Sequence, residues 1–318
     1  MRSNKNIYNV RKWYKLKPTL VDQTLPFDFN LVKLRNIGYI FLWTAIFVPF
    51  FISILISYLF DHNEYVLAGM NFINLIIVAV GSYFVIGGAQ NKIMRSGAVA
   101  FYYYYFTPNI MGLVIGVITN KFYLTDSVRT TINLLTAIIS RLIIIIVLFK
   151  TSQLLFKKIK LTFKKDYIRL FIVSIIAIIV VIFVYLFFAY IQTFITTLKS
   201  KNQDALVKGL DKWWNIIILL IFSIIFAPIT EELATRHGIF SLTGNKWIGC
   251  VASIIFFTGM HVTGTGDWEH FIGYFGGGLA LSLLFFIVNG NVTYTIIAHS
   301  GFNCVVAMLM LLTPNFLS

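Results

Sequence analysis

Long apolar stretches separated by short polar turns dominate the pattern along this chain. Most run for about 20 residues with few charges, which is the length that an α-helix needs to cross a bilayer. The pattern predicts an all-α fold, a polytopic transmembrane helical bundle of eight or nine spans. The nine candidate stretches are 37–60, 66–88, 98–119, 130–149, 168–195, 213–240, 247–263, 270–289 and 292–313.

The stretch 98–119 decides between eight spans and nine. It is interrupted by Pro108 and carries the aromatic run FYYYYF at 101–106. Tyrosine is enriched where helices meet the headgroup region of a bilayer. We therefore expect these rings to form an aromatic belt at the membrane surface.

The composition is that of a membrane protein, which affects how the net positive charge is interpreted. The 318-residue chain is 58% hydrophobic and 12% charged, whereas about a quarter of the residues in a soluble domain are charged. A net charge of +14 would suit a nucleic acid. The basic residues, however, cluster in the loops between spans, where they orient a membrane protein. We expect a lipid bilayer as the surroundings and no nucleic-acid partner.

Two basic clusters predict the orientation of the bundle. The second runs from Lys150 to Arg169, and alternating loops place it on the same side as the first, which the positive-inside rule makes cytoplasmic. The loops 61–65 and 196–212 then fall outside, although the latter contains four lysines. This predicts a multi-pass protein of the cell membrane with a cytoplasmic amino terminus, and the lysine- and isoleucine-rich composition favours a bacterial source. The first cluster comprises Arg2, Lys5, Arg11, Lys12, Lys15, Lys17, Lys33 and Arg35.

The second basic cluster also divides the chain. Before it, Arg141 is the only charge embedded in a span, and we expect it to snorkel or to pair within the bundle. After it lie nearly all the other embedded polar groups. The predicted organisation is a cytoplasmic basic segment at 1–36, supporting spans at 37–165 and a functional transmembrane core at 166–318.

Three motifs carry the polar groups of the core. Ionisable side chains inside a span cost about 2.5–3.5 kcal/mol on insertion scales, so they need partners or a wet cavity. The motifs are EELATR at 231–236, FTGMH at 257–261 and HSGFN at 299–303. Each holds two side chains four residues apart, which share a helical face. These pairs are Glu232 with Arg236, Phe257 with His261, and His299 with Asn303.

The two adjacent glutamates need not do the same work. Glu231 is rotated by about 100° from Glu232 on a helix, so it can face a different neighbour. Counted at 1.5 Å per residue, the positions lie roughly 12–21 Å from the cytoplasmic turns. One slab of the bilayer therefore holds Glu231, His261, His299 and Asn303.

Two kinds of chemistry fit this set. A carboxylate and a histidine can deprotonate water as a general base, and a histidine and an amide can donate hydrogen bonds to an oxyanion. Alternatively, Glu231, His261 and His299 match a zinc ligand set with a fourth position open for water. Either arrangement predicts a hydrolase.

The three motifs, in this order, resemble those of the CPBP family of intramembrane proteases. That family includes the CAAX prenyl endopeptidase and proteins linked to bacteriocin self-immunity, and the resemblance covers about residues 210–313. One departure is His237, because many members carry glycine directly after the arginine. No motif residue is lost through this difference.

The resemblance implies a role for each motif residue. Glu231 and His261 would activate the attacking water, and His299 and Asn303 would form the oxyanion hole. Since this set supplies a base and an oxyanion hole without a metal, we favour a reaction that needs no cofactor, with zinc as the alternative. The supporting residues would be Glu232, Arg236 and Phe257.

The function predicted in this way is an intramembrane endopeptidase that acts on hydrophobic or membrane-associated peptides and proteins. The alternative is a non-catalytic membrane scaffold or bacteriocin-immunity protein that binds a partner protein. A proton-coupled transporter would use the buried Glu and His as a relay, but the chain shows no internal repeat of the transporter kind. Cys250 and Cys304 predict neither a disulfide framework nor a thiolate zinc site.

Overall fold

A computed structural model describes residues 15–32, 34–60, 63–197, 200 and 212–312. These residues form helices and turns, with no strand among them, so the all-α prediction is confirmed. Part of the predicted cytoplasmic segment, part of the loop 61–65 and most of the loop 196–212 lie outside the described residues. Among the basic residues, the same is true of Arg2, Lys5, Arg11, Lys12 and Lys33.

The described chain contains eleven helices, which we number in order. They are α1 (Leu20–Thr24), α2 (Asn36–Leu59), α3 (Glu64–Ser96), α4 (Ala100–Thr119), α5 (Asp126–Thr151), α6 (Gln153–Lys165), α7 (Tyr167–Gln192), α8 (Trp213–Leu242), α9 (Lys246–Val262), α10 (Phe271–Ile287) and α11 (Val292–Leu312).

Within the described residues, 7 helices are long and apolar enough to cross a membrane: α2, α3, α5, α7, α8, α11 and the helix Trp268–Ile287, which includes α10. The apolar helix α9 is shorter. Each of the nine predicted stretches is helical, and a bundle of about eight spans is confirmed. The largest boundary error is in α3, which continues to Ser96 through a kink at Ala89. The chain is a multi-pass membrane protein.

Helix α10 lies at the centre of the carboxy-terminal half, where α7, α9 and α11 pack around it. From the amino-terminal half, α4 packs against α5 and against the segment Leu233–Gly238 of α8. The two halves therefore share an interface at α8. The predicted boundary between supporting and functional parts stays a prediction.

The aromatic-belt interpretation is wrong for half of the run at 101–106. Phe101, Tyr102 and Tyr104 are buried in the protein, and the ring of Phe101 packs edge-on against Phe41 at a centroid distance of 5.0 Å. The run begins directly after the turn at Gly97, whose φ of 88° brings α4 back against its neighbours. Because aromatic rings suit both a membrane interface and a protein core, composition alone did not distinguish them.

The second basic cluster is a helix rather than a loop. Helix α6 turns apolar residues such as Leu155 into the protein and keeps lysines on its other side, a pattern typical of helices that lie along a membrane surface. Lys158 is the exception, since its Nζ lies 3.3 Å from Asp22 Oδ1. Burial lowers the pKa of Lys158, and the nearby Asp22 carboxylate opposes that shift.

The segment 15–32 docks onto this end of the bundle. The Asn291 side chain donates hydrogen bonds to Asp22 Oδ1 at 3.2 Å and to Thr162 Oγ1 at 3.0 Å. Asn289 Nδ2 donates to the carbonyl of Leu16 at 2.9 Å. The turn between α10 and α11 thus holds the segment against α6.

Candidate active site

Helix α8 carries the two glutamates on an irregular stretch. Two π-helical segments, Phe222–Phe226 and Leu233–Gly238, enclose an α-helical turn, Ala227–Glu232. Pro228 has no N–H to donate to the preceding turn, so a regular ladder is already broken there. Such π segments are frequent at functional sites. The glutamates lie at the end of the α-helical turn, where α8 faces the middle of the bundle.

Glu232 is fully buried and held from two sides. Its Oε2 lies 3.4 Å from Arg236 Nε, and its Oε1 accepts a hydrogen bond from His299 Nδ1 at 2.9 Å. A buried carboxylate is stable only with such partners. The predicted Glu232–Arg236 pairing is therefore present, and it includes a histidine from α11 that helical spacing did not indicate.

Arg236 connects α8 to two more helices. Its guanidinium carbon lies 4.4 Å from the ring centroid of Phe257 on α9, and its Nη2 donates to the carbonyl of Gly278 on α10 at 3.3 Å. The same phenylalanine ring contacts His261 and His299. Phe257 thus forms one wall that the arginine and both histidines share.

Glu231 points to the opposite side of the histidine. Its Oε2 lies 3.9 Å from His299 Nε2, and no arginine or lysine pairs with it among the described residues. Because Nδ1 of His299 donates to Glu232, the Nε2 edge of that ring is the one that faces Glu231. The two carboxylates therefore flank one imidazole, and only one of them has a cationic arginine partner.

His261 completes the group from the last turn of α9. Its ring stacks on Tyr274 of α10, with centroids 4.7 Å apart and planes 10° from parallel, and it lies within electrostatic reach of Glu231 and His299. The stacked ring of Tyr274 and the edge-on ring of Phe257 hold the imidazole plane in place. The structure thus brings Glu231 and His261 to the same site, although no direct hydrogen bond joins them.

Asn303 lies one turn beyond His299 on α11 and is half-buried. Its Nδ2 donates to the carbonyl of Ser223 at 2.8 Å, in the first π-helical segment of α8. An amide nitrogen carries two hydrogens, so one N–H and the Oδ1 of Asn303 remain for a bound molecule.

The part of the chain that matches a known protein family contains these candidate site residues. Residues 213–305 match the family model of the type II CAAX prenyl endopeptidase Rce1-like proteins. The resemblance to the CPBP family is confirmed. The matched residues contain all three motifs.

Two curated relatives extend this comparison. The chain is 26% identical over 328 residues to an uncharacterized protein of Mycoplasma capricolum subsp. capricolum, an alignment covering 95% of this chain and 97% of that protein. It is 27% identical over 122 residues to the UPF0177 protein YbdI of Lactococcus lactis subsp. lactis, covering 38% of this chain and 64% of that protein. No solved structure matches the chain.

His237, the departure from the usual CPBP pattern, has a packing role. Its Nε2 donates to the carbonyl of Ser96 at 2.7 Å, since a carbonyl can only accept, and its ring packs edge-on against Phe27 at 5.2 Å. The side chain therefore joins α8 to the turn before α4 and to the docked amino-terminal segment. It points away from the glutamates and takes no part in their contacts.

Residues from the amino-terminal half also reach this candidate site, and sequence reasoning missed Tyr104 altogether. The phenol of Tyr104 interacts with Glu231, and the guanidinium carbon of Arg141 lies 4.2 Å from the Tyr104 ring centroid. Arg141 is buried and pairs with the aromatic side chain of Tyr104 rather than with a carboxylate, so of the two expectations for this residue, pairing within the bundle is confirmed. Its isolation in an apolar span was the available signal, whereas Tyr104 was hidden within an aromatic run.

The described residues do not gather the predicted zinc ligands into a metal site. The cluster whose ligand atoms all lie within 4.8 Å of one another is Asp267, Glu269 and His270, at the start of α10. Glu231, His261 and His299 form no such cluster. The choice between a metal-free reaction and zinc stays a prediction, and we derive no step through a metal.

Proposed function

We propose that the protein is an intramembrane endopeptidase of the CPBP type, which hydrolyses peptide bonds of hydrophobic or membrane-associated peptides and proteins. The main observation in support of this proposal is that the two adjacent glutamates have different partners. Arg236 neutralises Glu232, whereas Glu231 has no such partner and faces two histidines. A carboxylate left in this state can act as a general base.

In the proposed reaction, a water molecule lies between Glu231 and the scissile carbonyl carbon. Glu231, assisted by His261, takes a proton from the water as its oxygen bonds to that carbon. The carbonyl π electrons move to the oxygen and form an oxyanion. The tetrahedral intermediate then collapses, the C–N bond breaks, and the proton passes to the leaving amine. The products are a carboxylic acid and an amine, so atoms and charges balance.

The proposed oxyanion hole consists of His299 and Asn303. For His299 to donate from Nε2 while Nδ1 donates to Glu232, the ring must carry both protons. The two carboxylates that flank the ring favour that form electrostatically. The second N–H of Asn303 would be the other donor. Donors fixed in this way stabilise developing charge because they need no reorganisation during the reaction.

The proposed setting is the cell membrane, with the amino terminus in the cytoplasm of a bacterium. The basic helix α6 and the basic amino-terminal segment support this orientation through the positive-inside rule. Substrates would reach the site from the bilayer or from the cytoplasmic side.

Replacing His261 tests the proposed function directly. In purified protein reconstituted into vesicles, His261→Ala should lower kcat/KM for a quenched hydrophobic peptide by at least about 100-fold, the usual range for an acid–base group. The matched control is His270→Gln, because glutamine retains an N–H for Asp267, to which His270 Nδ1 is bonded at 2.8 Å. Equal cleavage by wild type and His261→Ala would contradict the proposal. If His261→Ala and Glu231→Gln both keep full biological activity in cells although the purified protein cleaves no peptide, the scaffold alternative is supported.

A chelator tests the metal-free reaction. Because the predicted zinc ligands do not cluster, we expect a strong chelator to leave the cleavage rate of the purified protein within about twofold, where removing a catalytic zinc would abolish it. The measurement is initial rate after dialysis, with and without added Zn²⁺. Loss of activity that Zn²⁺ restores would overturn the metal-free reaction while leaving the protease intact.

A further inference from the structure

A second polar site lies beside the catalytic group, among α2, α3, α4, α5 and α9. It is a cavity of about 280 Å³, near the lower end of the size range of small-ligand pockets. Its wall combines apolar, aromatic and polar side chains. The polar ones include Ser53, Asn74, Tyr104 and Arg141.

Arg141 is the one charged side chain in this lining, and it forms no direct ion pair with another described residue. The residue is only 9% exposed, and its Nε and Nη1 are buried without a hydrogen-bond acceptor. A guanidinium remains protonated in proteins. A buried ionisable group of this kind inside a membrane span indicates a functional site with a partner of opposite charge.

Asn74 offers the complementary group in the same cavity. Its Nδ2 donates to Ser53 Oγ at 3.0 Å, which fixes the amide with its Oδ1 as the remaining atom. That Oδ1 is buried and has no donor. The cavity therefore presents unused donors on Arg141 and an unused acceptor on Asn74, which together suit a carboxylate and a peptide N–H.

One tyrosine separates this cavity from the proposed base. The Arg141 guanidinium lies over the ring of Tyr104, whose phenol interacts with Glu231 and donates to Met260 Sδ at 3.3 Å. Met260 directly precedes His261 in the chain. A group bound to Arg141 is thus close to the scissile bond.

We propose that this cavity is a substrate subsite in which Arg141 binds a carboxylate of the peptide, either its free carboxy terminus or an acidic side chain near the cleaved bond. The proposal rests on the proposed protease function for the identity of the ligand. The planar guanidinium matches a carboxylate in a bidentate manner. Asn74 Oδ1 accepts an N–H from the same stretch of peptide. Arg141 is then a specificity-determining residue that the supporting half contributes to the site.

Cleavage of matched peptides tests this subsite. Four peptides share one sequence. Two end in a carboxylic acid and two in an amide, and within each pair one peptide has Glu and the other Gln near the cleaved bond. Loss of one charged hydrogen-bonded contact typically costs about 10-fold to 100-fold in affinity, so wild type should prefer one acidic form by that factor in kcat/KM. The form preferred identifies the source of the carboxylate. Arg141→Gln should remove the preference for the acidic form, and Arg141→Lys should keep part of it.

Arg129→Gln is the matched control, since Arg129 lies on the same helix α5 but does not line the cavity. It should retain the full preference. If wild type shows no preference, or if Arg141→Gln slows every peptide equally, Arg141 is a packing residue and the proposal is overturned.

Binding separates this proposal from the protease itself. The acidic and neutral peptides are titrated against Glu231→Gln protein, which cannot turn them over, and against Glu231→Gln with Arg141→Gln. Tighter binding of an acidic peptide that depends on Arg141 supports the subsite even if wild type cleaves nothing, in which case only the proposed function fails. Equal binding of all four peptides overturns the subsite even if cleavage is observed.

Discussion

Glu231→Gln is expected to reduce peptide hydrolysis by at least about 100-fold, the contribution of a general base, without lowering the amount of protein in the membrane. Glutamine has the shape of glutamate but cannot accept the proton of the attacking water. The fold should tolerate the change, because no arginine or lysine depends on Glu231 and its closest ionic neighbour is His299 Nε2 at 3.9 Å.

The measurement is kcat/KM on a quenched hydrophobic peptide in vesicles, together with the thermal unfolding midpoint in detergent. Glu269→Gln provides a control with the same chemical change in the loop before α10. Activity of Glu231→Gln within a few-fold of wild type, in protein of equal stability, would show that another group activates the water.

Arg236→Met is expected to have the largest effect on stability. The substitution keeps much of the side-chain volume but leaves the fully buried Glu232 carboxylate with His299 as its one ionic partner. Removing one partner of a buried ion pair typically costs about 3–5 kcal/mol, so the unfolding midpoint should fall by at least about 5 °C. Fluorescence-detected thermal unfolding of the purified variant measures this shift.

A double-mutant cycle separates charge from packing at this pair. Glu232→Gln with Arg236→Met removes both charges, so the double variant should be more stable than the sum of the two single losses predicts. It should still be inactive, because a neutral glutamine no longer supplies the negative charge that favours the doubly protonated ring of His299. Simple additivity would mean that the ion pair contributes little, and that Arg236 acts through its contacts with Phe257 and Gly278.

Local periodicity was enough to predict the helices and the i,i+4 contacts. The pairing of Glu232 with Arg236 follows from their spacing, and so does the shared face of Phe257 and His261. Each of these relations lies within one helix, where 3.6 residues per turn fixes the geometry.

Contacts between distant helices could not be read in the same way. The hydrogen bond from His299 to Glu232 joins residues 67 positions apart, and the amide of Asn303 reaches a carbonyl that a π-helical segment presents. A π segment has more residues per turn than an α-helix, so the residues after it face a different direction from the one that the α-helical period predicts. Sequence patterns with the α-helical period therefore do not reveal such a segment. The same limit concealed Tyr104, whose neighbours come from three other helices.

Surface elements were a further source of error. The lysines of α6 were interpreted only as a topology signal, although Leu155 and Thr162 at helical spacing mark a buried face. A hydropathy scan does not detect such short amphipathic helices well, because their mean hydropathy is close to zero.

Residues 15–32 are synthesised early, but some of the residues that hold them in place are synthesised near the end of the chain. Asp22 precedes its partner Asn291 by 269 residues, which at about 5–20 residues per second means a delay on the order of 15–50 s on the ribosome. The same turn that receives Asp22 also begins α11, which carries His299 and Asn303. The hydrogen bonds from this turn to the amino-terminal segment and the last active-site residues are therefore completed together, late in synthesis. A chain that ends before this turn would hold the segment only through its contacts with earlier residues such as Lys158 and His237.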